Sequence, residues 1–126
     1  MNRSTIFMIN AVIAVLFGLV FLLIPATVLS WYGVQLEAAG LFLARLYGSA
    51  LLIFAIISWM VREAPASQSL RGIIVAFFIG DAIGFLLSLV YQLQGVANAL
   101  GWSTVAIYLI LAVLFGYFTW SKQGAS

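Results

Sequence analysis

The 126-residue chain contains no cysteine and no histidine. Those two absences exclude disulfide exchange, thiolate chemistry, haem ligation through either residue and the usual zinc or copper sites. Charge is almost as scarce. Five Lys+Arg and three Asp+Glu make up 6% of the residues, against roughly a quarter in soluble domains. The basic residues are scattered and form no patch, so the net charge of +2 gives no reason to expect a nucleic acid partner. No nucleophile stands beside a base, and the carboxylates Glu37 and Asp81 fall at different depths. The expectation is therefore no catalysis, no cofactor and no metal.

What fills the chain instead is apolar: 66% of its residues are hydrophobic and its mean hydropathy is +1.24. Its apolar runs are long enough to cross about 30 Å of hydrocarbon, which predicts an all-α integral membrane bundle of four transmembrane helices. The expected spans are about 5–24, 39–61, 72–93 and 103–120, within a single membrane domain. The first run is too long for a signal-peptide core of about 7 to 15 residues and is followed by Pro25, so it reads as a retained span. Between the first two spans, Ala26 to Tyr32 is either a short interfacial helix or an irregular loop anchored by aromatics. Ala64 to Arg71 is polar and contains Pro65, and reads as a water-exposed connection.

Arg3, Arg62, Arg71 and Lys122 all fall on one side of this layout, and no basic residue flanks the other. The positive-inside rule then places both termini and the middle loop in the cytoplasm of a bacterial cell, in a multi-pass protein of the plasma membrane. Trp31 and Trp102 anchor the outer interface in this reading, and Trp59 and Trp120 the inner one.

Two charges lie deep inside apolar runs, Arg45 and Asp81. A charge at such depth costs about 2.5 to 3.5 kcal/mol on insertion scales and tends to find a partner. Their backbones differ in depth by roughly 7 Å at 1.5 Å rise per residue, so an intramembrane ion pair is expected, helped by Tyr47, Ser49, Tyr108 or Asn10. The functional alternative makes Asp81 a titratable or cation-binding group in a pathway, with Arg45 as counter-ion. A third arrangement turns Arg45 outward toward Glu37 and leaves Asp81 uncharged. Gly80 and Gly84 frame Asp81 in a G-x-x-x-G pair extended by Ser88, and Asn10, Ala14 and Gly18 recur every fourth residue; both strips are expected to pack against other helices.

The run Arg45-Leu46-Tyr47-Gly48-Ser49-Ala50, preceded by Pro25 and by Trp31-Tyr32-Gly33, resembles the DoxX-like group of small four-helix bacterial membrane proteins and similar families without assigned function. That resemblance implies an accessory role beside a quinone-linked redox enzyme and carries over no catalytic residue. The expected function is a non-catalytic accessory or scaffold subunit. Its partners would be the lipid bilayer and either other membrane subunits or further copies of itself. The alternative is a small oligomeric transporter or channel using Asp81 and Arg45.

Overall fold

Asn2 starts the first helix and Pro25 stops it. In the computed structural model, which describes residues 1–121, the Asn2 side chain accepts the Thr5 backbone N–H at 2.9 Å and α1 runs Arg3–Leu23. Ile24 leaves the helical region, at φ −135° and ψ 51°, because the ring of a following proline crowds that conformation. Pro25 then opens a second helix at its first position, where an absent N–H loses nothing. This is α2, Pro25–Trp31. The segment left open between helix and loop is therefore helical, and the described residues form five helices, four of them long.

α2 ends in a left-handed glycine turn. Gly33, at φ +74°, donates to the Ser30 carbonyl at 3.0 Å while Val34 donates to that of Leu29 at 2.9 Å. Three long helices follow: α3 Ala38–Val61, α4 Gln68–Leu93 and α5 Gly101–Trp120. α4 begins at 68, ahead of the expected 72, because the Ser67 hydroxyl caps the Leu70 N–H at 3.0 Å. Hydropathy alone places the boundary after Arg71; the cap draws the polar residues before it into the helix. α5 likewise begins at 101 where 103 was expected.

The four long helices have 20 to 26 residues and are long and apolar enough to cross a membrane. They pack as two antiparallel pairs, α1 along α3 and α4 along α5. In the first pair the backbones nearly touch. A Cβ on Gly48 would lie 2.7 Å from the Gly18 carbonyl oxygen and from the Leu22 nitrogen. In the second pair Gly116 accommodates the Phe78 ring, and Gly84 the ring of Tyr108.

The two pairs join at both ends. Where α1 begins, Ile6 and Phe7 pack with Leu70, Ile74, Leu111, Phe115 and Phe118 into the buried core. Phe77 stacks on Phe115 with centroids 5.1 Å apart and meets Phe54 of α3 edge-on at 5.8 Å. Arg3 Nη2 donates to the Ala64 carbonyl at 2.6 Å, tying α1 to the α3–α4 connection. At the opposite end the Asn98 N–H donates to the Tyr32 carbonyl at 2.8 Å, and its Nδ2 to that of Trp31 at 3.0 Å. Arg3, Arg62 and Arg71 belong to the first end, whereas Lys122 lies outside the described residues. Between these ties the pairs stand apart except where the Tyr47 and Tyr108 hydroxyls meet at 2.7 Å.

Candidate functional site

The space between the helix pairs is a cavity of about 300 Å³ with walls from α1, α3, α4 and α5. Helical spacing supplies those walls. Tyr47, Leu51 and Phe54 recur at intervals of four and three on α3, as Phe77 and Asp81 do at four on α4, so each set lines one stripe. Asn10, Phe17 and Tyr108 complete the lining. The surface is mainly apolar and aromatic, and among the described residues no basic one belongs to it.

Its polar groups are of three kinds. Asn10 lines the wall, but its Nδ2 donates to the Ser58 hydroxyl at 2.8 Å, so the amide helps to fasten α1 to α3. Ser58 is fully buried, and without Asn10 its hydroxyl would lose that bond. The hydroxyls of Tyr47 and Tyr108 meet at 2.7 Å and bridge α3 to α5 across the cavity. Tyr47 nonetheless exposes 41% of its surface. Asp81 differs from both: its Oδ2 is buried and has no hydrogen-bond partner.

The expected ion pair between Arg45 and Asp81 is not formed. Arg45 Nη1 donates to the carbonyl oxygen of Leu22, in the last turn of α1. The break at Ile24–Pro25 leaves that turn's carbonyls without helical partners, and a cation at a helix C-terminus also meets the negative end of the helix dipole. Azimuth matters as much as depth here. Arg45 shares the α1-facing side of α3 with Gly48, whereas Tyr47 and Phe54 share the cavity side. The outward alternative involving Glu37 does not describe Arg45 either, since its guanidinium bonds to α1.

The glycines around Asp81 do not behave as one strip. Gly80 lines the cavity and a Cβ there would meet nothing within 4 Å, while Gly84 is covered by the Tyr108 ring. Ser88 returns its hydroxyl to the Phe85 carbonyl of its own helix at 3.1 Å. On α1, Asn10, Ala14 and Gly18 are all buried, with Gly18 against Gly48 and Leu52. The four tryptophans are exposed and sit at or near helix ends: Trp31 and Trp120 are the last residues of α2 and α5, Trp102 the second of α5, and Trp59 lies under the Arg62 guanidinium at 3.8 Å.

The sequence assigns Tyr47 and Tyr108 to the Arg45–Asp81 pair, whereas they bond each other; it names Gly48 only in the family resemblance and does not single out Ser58. One signal was readable. A proline after an apolar helix announces orphan carbonyls one turn earlier, which a nearby arginine can satisfy.

A second cavity, of about 240 Å³, lies toward the Asn98 end and shares Phe17, Ile107 and Tyr108 with the first. Those side chains form the partition between the two. Among the described residues no three carboxylates come together as a metal site.

No curated protein matches the chain, and no solved structure does. No DoxX-like family is found for the segment around Arg45. Residues 8–123 match the family described as Domain of unknown function (DUF8292), and with nearly the whole chain inside that match, the protein belongs to this family.

Proposed function

We propose that the protein is a non-catalytic, multi-pass protein of the bacterial plasma membrane that holds a small lipophilic molecule between its two helix pairs. The observation that supports this reading is the cavity itself. A four-helix bundle of this size packs to the density of an organic crystal when packing is its whole purpose. Here the pairs are fastened at both ends, bridged between them by the Tyr47 and Tyr108 hydroxyls, and otherwise left apart over about 300 Å³, the lower part of the range for small-molecule sites. Such a site, in a chain with short connections at 62–67 and 94–100, fits an accessory subunit that binds a molecule for a larger membrane complex.

Native mass spectrometry of the protein extracted from its own membrane in mild detergent tests this. The expected result is a non-covalent adduct that a Gly80→Leu variant lacks, because that side chain would fill the cavity without meeting a neighbour within 4 Å of its Cβ. Bare chains in both samples would count against the reading. Larger subunits leaving with the protein would name the complex it serves.

Orientation is proposed on the gathering of Arg3, Arg62 and Arg71 at one end, which the positive-inside rule assigns to the cytoplasm. The native chain has no cysteine, so single cysteines report cleanly. On intact cells an impermeant maleimide should label Val96→Cys and reach Ala66→Cys only after the membrane is opened; the reverse pattern inverts the topology.

A further inference from the structure

We propose that the cavity between the helix pairs selects a small lipophilic ammonium, a protonated primary or secondary amine on an apolar body, with Asp81 as its counter-ion. The inference rests on the lipophile-binding reading above and supplies the charge of the ligand.

Three observations carry it. Asp81 lines the cavity, and one oxygen of its carboxyl group, Oδ2, is buried without a hydrogen-bond donor. A buried acceptor in that condition is costly to leave unmade, and an N–H donor bearing positive charge satisfies both its hydrogen bond and its charge. Among the described residues no such donor is supplied: no arginine or lysine lines the cavity, and Arg45, the nearest candidate by sequence, gives its Nη1 to the Leu22 carbonyl of α1. The remaining wall suits a cation with an apolar body. Phe17, Tyr47, Phe54, Phe77 and Tyr108 present aromatic rings, whose faces attract an ammonium while their area shelters hydrocarbon. Of the other polar groups, Asn10 bonds Ser58 and the two tyrosine hydroxyls bond each other, and neither bond reaches Asp81.

The site thus resembles a salt bridge with one partner removed. The cavity's size limits the missing partner to about one ring or a short branched chain with its amine, at the small end of ligand sites.

The test compares 2-phenylethylamine, protonated at neutral pH, with 2-phenylethanol, which has the same ring and no charge. Saturable binding of each is measured by equilibrium dialysis against the full chain in nanodiscs, with empty nanodiscs subtracted. Wild type should bind one amine per chain and favour it over the alcohol by about tenfold or more, the contribution expected of one ion pair with aromatic support. Asp81→Asn should bring the two affinities within about twofold without weakening the alcohol, and Gly80→Leu, which keeps the carboxyl, should abolish both.

If the alcohol binds wild type as well as the amine does, charge selection is refuted while the lipophile-binding reading stands. Saturable binding of neither probe overturns both. A preference for amine that survives in Asp81→Asn removes Asp81 from the site. Should Asp81→Asn fail to fold, Gly80→Leu and the wild-type amine-to-alcohol ratio still decide the matter.

Discussion

Replacing Gly48 by alanine tests the architecture most directly, because the space for one methyl group can be worked out from the backbone. The new Cβ would sit 2.7 Å from the Gly18 carbonyl oxygen, 2.7 Å from the Leu22 nitrogen and 3.1 Å from the Phe21 carbonyl carbon. Ordinary contact starts at 3.4 Å, so α1 and α3 must part by the difference, 3.4 − 2.7 = 0.7 Å. All three obstacles are backbone atoms, and no side-chain rotation relieves them. Overpacking of this kind costs about 1 to 3 kcal/mol. In the proposed bilayer setting alanine's better helix propensity offsets little of that, since membrane helices remain helical when their tertiary contacts are lost. The separation also lengthens the Asn10–Ser58 and Arg45–Leu22 hydrogen bonds, which join the same two helices. Gly80→Ala is the matched control: the same substitution meets nothing within 4 Å and should lie within about 0.5 kcal/mol of wild type. Reversible unfolding by sodium dodecyl sulfate in mixed micelles, followed by tryptophan fluorescence, measures both. Equal stability of Gly48→Ala and wild type, or equal loss in both variants, would refute the close crossing at Gly18 and Gly48.

Other substitutions probe the polar contacts. Arg45→Ala should cost about 1.5 to 3 kcal/mol by freeing the Leu22 carbonyl, and its coupling to Asp81→Ala in a double-mutant cycle should stay under about 0.5 kcal/mol; coupling well above that would restore a direct Arg45–Asp81 pair. Tyr47→Phe and Tyr108→Phe should each lose about 0.5 to 1.5 kcal/mol, with the double variant costing little more than either alone, because one shared bond is broken. Asn10→Ala should destabilise by about 1 to 3 kcal/mol, as the buried Ser58 hydroxyl loses its donor, and Ser58→Ala on top should cost less than the sum of the two. Additive losses in either cycle would show that the hydroxyl or amide contacts are absent.

The four spans were legible because hydropathy is a one-dimensional signal and nearly every residue contributes to it. The refinements came from single polar side chains. The Ser67 cap moved the start of α4 to Gln68, and Pro25 opened a helix where sequence left helix and loop equally open. The site was harder to read because it depends on direction around a helix as well as position along it. Arg45 and Tyr47 are two residues apart and so about 200° apart in azimuth at 3.6 residues per turn, which sends one toward α1 and the other toward the cavity. Depth alone paired Arg45 with Asp81; azimuth separates them. The same limit applies to Gly80 and Gly84, whose spacing places both near one face but cannot say that Tyr108 covers one and leaves the other open.

The phenylalanine layer at the Arg3 end makes the chamber a cul-de-sac. Phe7 and Phe115 are wholly buried, and the rings of Phe54 and Phe77 extend the same layer across to α3. Sideways access is a different matter, because α3 is not packed along α4 as it is along α1. On the proposed reading, a guest arriving between α3 and α4 would first dissolve in the lipid. The concentration governing occupancy would then be the one in the bilayer, so that a molecule scarce in water but rich in hydrocarbon would fill the chamber at modest intrinsic affinity.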